Sequence, residues 1–233
     1  MRISRLLSPL VALALAGCVG GLSGGDDAPR RVQVTSDAVT ITGPSGFCVD
    51  PTATRNSDDT GFVLLGNCAA ISGRARAGQP DVPAVLTAAV SAPSAGAGLT
   101  GNLDALDTFF RSENGRALLS RSGDAGSVQI LDTRTQSGMF LLHARDTSAR
   151  EVVGVASDYW RAYMDIGQRL ATLSVLALED AQVSDAAALA TLTQFANAVQ
   201  GANPAIGAAD LPQGVNEALT PPFRGGLFQR IFQ

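Results

Sequence analysis

Apolar and polar residues alternate with the period of a β-strand over much of this chain, and switch to helical spacing in two places. Val32 and Val34, then Val39 and Ile41, flank Ser36-Asp37 and predict a hairpin. Gly43-Pro44-Ser45-Gly46 turns the chain into Phe47-Cys48-Val49. Asn56-Ser57-Asp58-Asp59-Thr60-Gly61 makes another turn before a strand over Phe62 to Cys68. Ala84 to Ser91 reads as the next strand, with Val85, Leu86 and Val90 as its apolar residues.

Leu103, Leu106, Phe109 and Phe110 form one stripe, so a helix is expected from a cap at Asn102 to about Asn114, with Gly115 as its stop. Two hairpins follow. One pairs Ser127 to Arg134 with Met139 to Arg145, and the other pairs Asp158 to Met164 with Arg169 to Leu178. The last of these strands is the most apolar and is expected at the centre of the sheet. Ser184 caps a final helix to about Gln200, where Leu189, Leu192, Phe195, Ala196 and Val199 recur at helical spacing. Strands, helix, strands, helix in that order predict an α+β domain over 32–205, an antiparallel sheet covered by two main helices. This order resembles the PsbP-like sandwiches of envelope and thylakoid lipoproteins, a likeness that implies an architecture and no activity.

The N-terminus has a different character. Arg2 and Arg5 precede an apolar run, Leu6 to Ala16, that is too short to span a membrane as a helix. It ends in Leu15-Ala16-Gly17-Cys18, which resembles the lipobox of bacterial lipoproteins. The resemblance implies that residues 1–17 are a signal peptide and that Cys18 receives a diacylglycerol and becomes the new N-terminus. Ala14-Leu15-Ala16 also fits an ordinary signal-peptidase site, which would release a soluble protein. Val19, where an aspartate would favour inner-membrane retention, leans the expectation towards the outer membrane, with the domain facing the periplasm. Residues 18–31 read as a Gly/Ser/Asp/Pro-rich tether. Of the three cysteines, lipidation would consume Cys18 and leave Cys48 and Cys68 to pair in an oxidising compartment. That bridge would staple the strands around Phe47–Val49 and Phe62–Cys68 as an N-terminal hairpin; the alternative is two buried free thiols.

Composition narrows the chemistry. Hydrophobic residues make up 45% of the 233 and charged residues 16%, enough apolar surface for a packed core. All 17 basic residues are arginine, which excludes a Schiff-base lysine and a P-loop lysine. The net charge of −4 argues against a nucleic-acid partner, which would require clustered positive charge.

Gly96-Ala97-Gly98-Leu99-Thr100-Gly101 spells a dinucleotide-binding fingerprint, but the expected helix starts only after the third glycine. A plain loop is expected there. His143 is the single histidine, and alternation places it with Met139 and Leu141, opposite Phe140 and Leu142. No serine sits in a nucleophile elbow, because Gly43-Pro44-Ser45-Gly46-Phe47 fails at its last position. Asn56 to Gly61 is rich in oxygen atoms without EF-hand spacing, so it reads as a turn. Neither a metal nor a cofactor is implied.

Two features suit a partner. Tyr159, Arg161 and Tyr163 share one face of a strand, with Trp160, Ala162 and Met164 behind them, a pattern that suits a binding surface or, alternatively, an amphipathic strand with its Trp in the core. The C-terminal extension, 206–233, ends in a segment carrying Phe223, Leu227, Phe228, Ile231 and Phe232, which reads as self-docking, membrane-contacting or partner-binding. The expectation from sequence is a lipid-anchored envelope protein, a non-catalytic interaction or assembly module with an envelope protein as partner. A periplasmic small-ligand carrier with a pocket between sheet and helices is the alternative. A hydrolase built on carboxylates and His143 is third.

Overall fold

The first hairpin forms where the alternation places it. Strands β1 (Arg31–Val34) and β2 (Val39–Thr42) pair antiparallel as a two-stranded sheet of their own, and Val34, Val39 and Ile41 point into the core. A computed structural model describes residues 28–94, 98–148 and 154–204 of the chain. The lipobox, most of the tether and the C-terminal extension therefore lie outside the described residues.

The main sheet contains β3 (Phe47–Val49), β4 (Arg55–Asn56), β5 (Gly61–Asn67), β6 (Ala84–Val90), β7 (Val128–Gln136), β8 (Met139–Asp146), β9 (Val155–Ile166) and β10 (Arg169–Leu178). Its order is β3-β5-β6-β10-β9-β8-β7, with β4 beside β5, and every pairing is antiparallel. β10 sits in the middle, and the first seven of its residues are buried, which explains why it reads as apolar on both faces.

Four helices accompany the strands among the described residues: α1 (Cys68–Ser72), α2 (Leu103–Arg111), α3 (Glu113–Leu119) and α4 (Asp185–Ala202). The Ser184 hydroxyl accepts from the Ala187 amide to start α4, and Ala188, Leu192, Phe195, Ala196 and Val199 form its buried stripe. α4 packs with the β1–β2 hairpin on one face of the sheet, over a core containing Leu86, Leu141, Trp160 and Leu173. α2 and α3 cover the opposite face at β7 and β8, over Phe140, Leu142 and Tyr163.

The single helix expected from Asn102 is two. Ser112 takes an extended backbone, its hydroxyl donating to the Phe109 carbonyl (2.6 Å) and accepting from the Gly115 amide (3.1 Å). It therefore closes α2 and caps α3 at once. Gly115 does not end a helix. It is buried inside α3, where a Cβ would stand 2.0 Å from the Phe109 carbonyl oxygen. Asn102 makes no side-chain cap; a 3-10 turn over Leu99–Gly101 leads into α2 instead.

The Cys48–Cys68 disulfide is formed and holds the β3–β5 pair together. Cys68 is the first residue of α1 rather than the last of the strand, so the bridge also fixes where that helix begins. A second tie is Arg169, buried at the start of β10. Its guanidinium donates to Asp37 in the β1–β2 turn (2.9 Å), to the Ser91 carbonyl (2.9 Å) and to the Asp59 carbonyl. One cation thereby joins three loops at one end of the molecule.

Candidate functional site

Alternation along β9 works as expected, but it feeds two cores rather than one core and one surface. Trp160, Ala162 and Met164 face α4, while Tyr159 and Tyr163 face α2 and α3. The expected exposed Tyr-Arg-Tyr patch is therefore corrected: Tyr159 is 4% exposed and Tyr163 is fully buried. Phe110 of α2 lands on Tyr163 with ring centroids 4.9 Å apart, and on Phe140 at 5.8 Å.

Arg161 lies between the two tyrosines, half-buried. Its Nε donates to the Ser174 hydroxyl (2.9 Å), and its guanidinium carbon sits 4.8 Å from the Tyr159 ring centroid. Burial pushes the Tyr163 phenol up to about 12, against the pull of the neighbouring Arg161. The Tyr163 hydroxyl and the Thr172 hydroxyl beside it in the register are both buried without a well-formed hydrogen bond. Continuing across the same face, Phe62 and Leu64 of β5, Val85, Thr87 and Ala89 of β6, and Leu176 of β10 remain half-exposed. A row of polar groups thus separates the helix-covered half of this face from a more open apolar half.

His143 lies on the opposite face, as its alternation implied. It stacks on Trp160 with centroids 4.6 Å apart and planes 10° from parallel, and its Nε2 is 3.7 Å from Asp185 at the start of α4. Arg134 places its guanidinium carbon 5.6 Å from the Trp160 ring centroid. A cleft of about 360 Å³ opens here, lined by His143, Arg145, Asp158, Trp160 and Asp185 among others. The Arg145 guanidinium donates from Nε and Nη2 to the two Asp158 carboxylate oxygens (2.5 and 2.7 Å) and holds that carboxyl below the usual range. Arg145 and Asp158 are thus committed to each other.

The glycine-rich loop is placed in part. Gly96 and Ala97 lie outside the described residues, and Leu99 packs against the α2–α3 core. Gly98 lies against Asp165, whose carboxylate oxygen would be 2.5 Å from a Cβ there. That close approach explains the glycine, and a carboxylate at this point would repel a phosphate. In the turn before β5, the Asn56 side-chain oxygen accepts from the Thr35 amide (2.7 Å) and the Asp58 carbonyl from the Ser36 amide (3.0 Å). These oxygens dock one turn on another.

Cys18, Phe223, Leu227, Phe228, Ile231 and Phe232 lie outside the described residues. Sequence reading missed a group of arginines, Arg30, Arg74 and Arg76, that line one cleft beside the disulfide. Arg74-Ala75-Arg76 was the only local signal, because Arg30 joins them solely through the fold. The class defined here is an α+β protein whose antiparallel sheet is covered by helices on both faces. No family model matches the chain, and a comparison with curated proteins found no match. No helix of the described residues is long and apolar enough to cross a membrane.

Proposed function

We propose that this chain is a lipid-anchored cell-envelope protein whose domain serves as a non-catalytic interaction or assembly module. The supporting observation is the pairing of Cys48 with Cys68. It fits an oxidising compartment and leaves Cys18, in its lipobox-like setting, as the one cysteine of three outside that bridge. The partner is another envelope protein, contacted in part through the Phe-rich segment from Phe223 to Phe232.

Cys18→Ser tests the anchor. The variant is expected in the soluble fraction of cells, and unchanged membrane retention would exclude the lipid as the sole attachment. Crosslinking followed by pull-down from membranes tests the module, comparing the full chain with a truncation of 221–233. A partner lost with the truncation supports the reading. Recovery of nothing above background by either, with a small molecule bound to the purified domain, would overturn it.

That last outcome would favour a small-ligand carrier. The observation behind it is the buried Tyr163 and Thr172 hydroxyls beside Arg161, bordering half-exposed Phe62, Leu64 and Leu176. Native mass spectrometry of the purified protein distinguishes the two readings, through the presence or absence of a bound ligand mass.

A further inference from the structure

The two faces of β5 and β6 are finished differently. On one, Val63, Leu65 and Leu86 are fully buried with the β1–β2 hairpin and α4. On the other, the register aligns Phe62 with Ala89, Leu64 with Thr87, and Val85 with Leu176 of β10. These six side chains share one patch and are all half-exposed. A sheet face built for water alternates apolar with polar residues, yet β5 is apolar on both sides. Among the described residues, Phe62, Leu64 and Val85 pack into neither hydrophobic core. Strands about 4.8 Å apart, rising about 3.3 Å per residue, make the patch about 10 Å by 13 Å. Ile71 of α1 closes one end, 3.4 Å from where a Cβ on Gly66 would stand, and the buried Thr172 and Ser174 border one side.

The chain itself carries a matching segment. Residues 223–232 include Phe223, Leu227, Phe228, Ile231 and Phe232, all large and apolar. Asn203, at the end of α4, is bonded to Thr40 of β2, and β2 packs over the buried face of those same strands. The patch is therefore on the reverse side of the strands that lie beneath the end of α4. Residues 205–222 reach about 60 Å when extended, against about 10 Å for each layer to be rounded. A tethered segment meets its own sheet at an effective concentration on the order of 1 mM, well above that of a second copy in dilute solution. Kept apart, patch and segment would each present to water an apolar surface that the other can bury.

We propose that segment 223–232 docks on this patch of its own sheet, over Phe62, Leu64 and Val85. The patch is then the resting seat from which an envelope partner takes the segment. Only that exchange rests on the interaction-module reading; docking within the chain stands without it.

The test is photo-crosslinking within the purified full chain in detergent, with Phe228→p-benzoylphenylalanine as the probe. Isotopically heavy and light protein are mixed before illumination, and the crosslinked peptides are mapped by mass spectrometry. Crosslinks are expected within one chain, to residues 62–64, 85–89 or 176. Leu64→Asp puts a charge into the contact and should lower their yield about ten-fold. Val85→Asp does the same from the neighbouring strand and decides the matter should Leu64→Asp fail to fold in a thermal melt; should both fail, the map of the unsubstituted chain decides. The proposal is overturned by crosslinks to other parts of the domain, by mixed heavy–light pairs, which would mean a second copy, or by no protein crosslink at all. An undiminished yield in a folded Leu64→Asp variant overturns it too. Loss of a partner on truncation of 221–233 is read separately in membranes, so failure of the module reading and failure of the seat remain distinct.

Discussion

The side-chain amide of Asn203 pairs with the backbone of Thr40 through both the N–H and the C=O of that residue. Its Oδ1 accepts from the Thr40 amide (2.8 Å), and its Nδ2 donates to the Thr40 carbonyl (2.7 Å) and to the Val199 carbonyl (2.8 Å). β2 is thus given the hydrogen bonds that one more strand would supply, while a terminal carbonyl of α4 is satisfied as well. The last described helix is in this way fastened to the first hairpin.

Asn203→Ala removes all three bonds and leaves partly buried backbone groups of Thr40 without a protein partner. A loss of about 2 kcal/mol in unfolding free energy is expected. Asn203→Asp keeps the acceptor but loses both donated bonds, and should fall between the two in a urea titration. Equal stability of wild type and Asn203→Ala would show that water replaces the amide at no cost.

Gly115→Ala should be costlier than an ordinary helical glycine substitution, which normally stabilises. Here the new methyl would meet backbone atoms, the Phe109 carbonyl oxygen and Phe110 Cα, neither of which can swing aside. We expect about 3 kcal/mol of destabilisation from this overpacking. A neutral or stabilising result in thermal unfolding would mean that α2 and α3 separate readily.

Removing the disulfide through Cys48→Ala with Cys68→Ala frees a loop of sequence separation 20 in the unfolded chain. The expected loss is about 3 kcal/mol in the chain-entropy picture. Reduction of the wild type should lower its denaturation midpoint to a similar extent. If the reduced and oxidised proteins unfold together, the β3–β5 packing alone carries this corner.

Asp146 gives the fold an acid-sensitive element. Burial by itself would raise this carboxyl, but bonds from the Arg121 and Ser148 amides (both 2.9 Å) and the Ser127 hydroxyl (3.0 Å) outweigh it and hold the group below the usual range. A carboxyl lowered on folding stabilises above its unfolded value near 4, and that stability is lost as pH falls through the folded value. Asp146→Asn should therefore cost about 2 kcal/mol at neutral pH, with the gap to wild type narrowing as the pH drops below about 4. Parallel stability curves for the two proteins from pH 7 to pH 2 would refute the assignment.

Pattern alone was enough for every strand longer than two residues and for side-chain direction, but not for β4, whose Asn56 reads as part of a turn. Trp160 and Tyr159 were placed on opposite faces by a two-residue period, and they lie on opposite faces of the sheet. The stripe of α4 and its Ser184 cap were equally legible, because each depends on neighbours within a few residues. The broken helix was not. Gly115 looks like a stop by composition, yet its role comes from the Phe109 carbonyl folding back against it, a contact made only when α3 turns at Ser112.

What this sequence determined by itself is local: which residues pair as strands and which way each side chain points. What only the tertiary structure decided is what lies opposite each side chain. Tyr159 and Tyr163 read as a surface until Phe110 and Leu119 closed over them. Arg30 and Arg76, far apart in the chain and unremarkable singly, come to line one cleft beside the disulfide that joins β3 to α1. Periodicity reports direction along one element; burial and charge clustering are set by other elements arriving from distant parts of the chain.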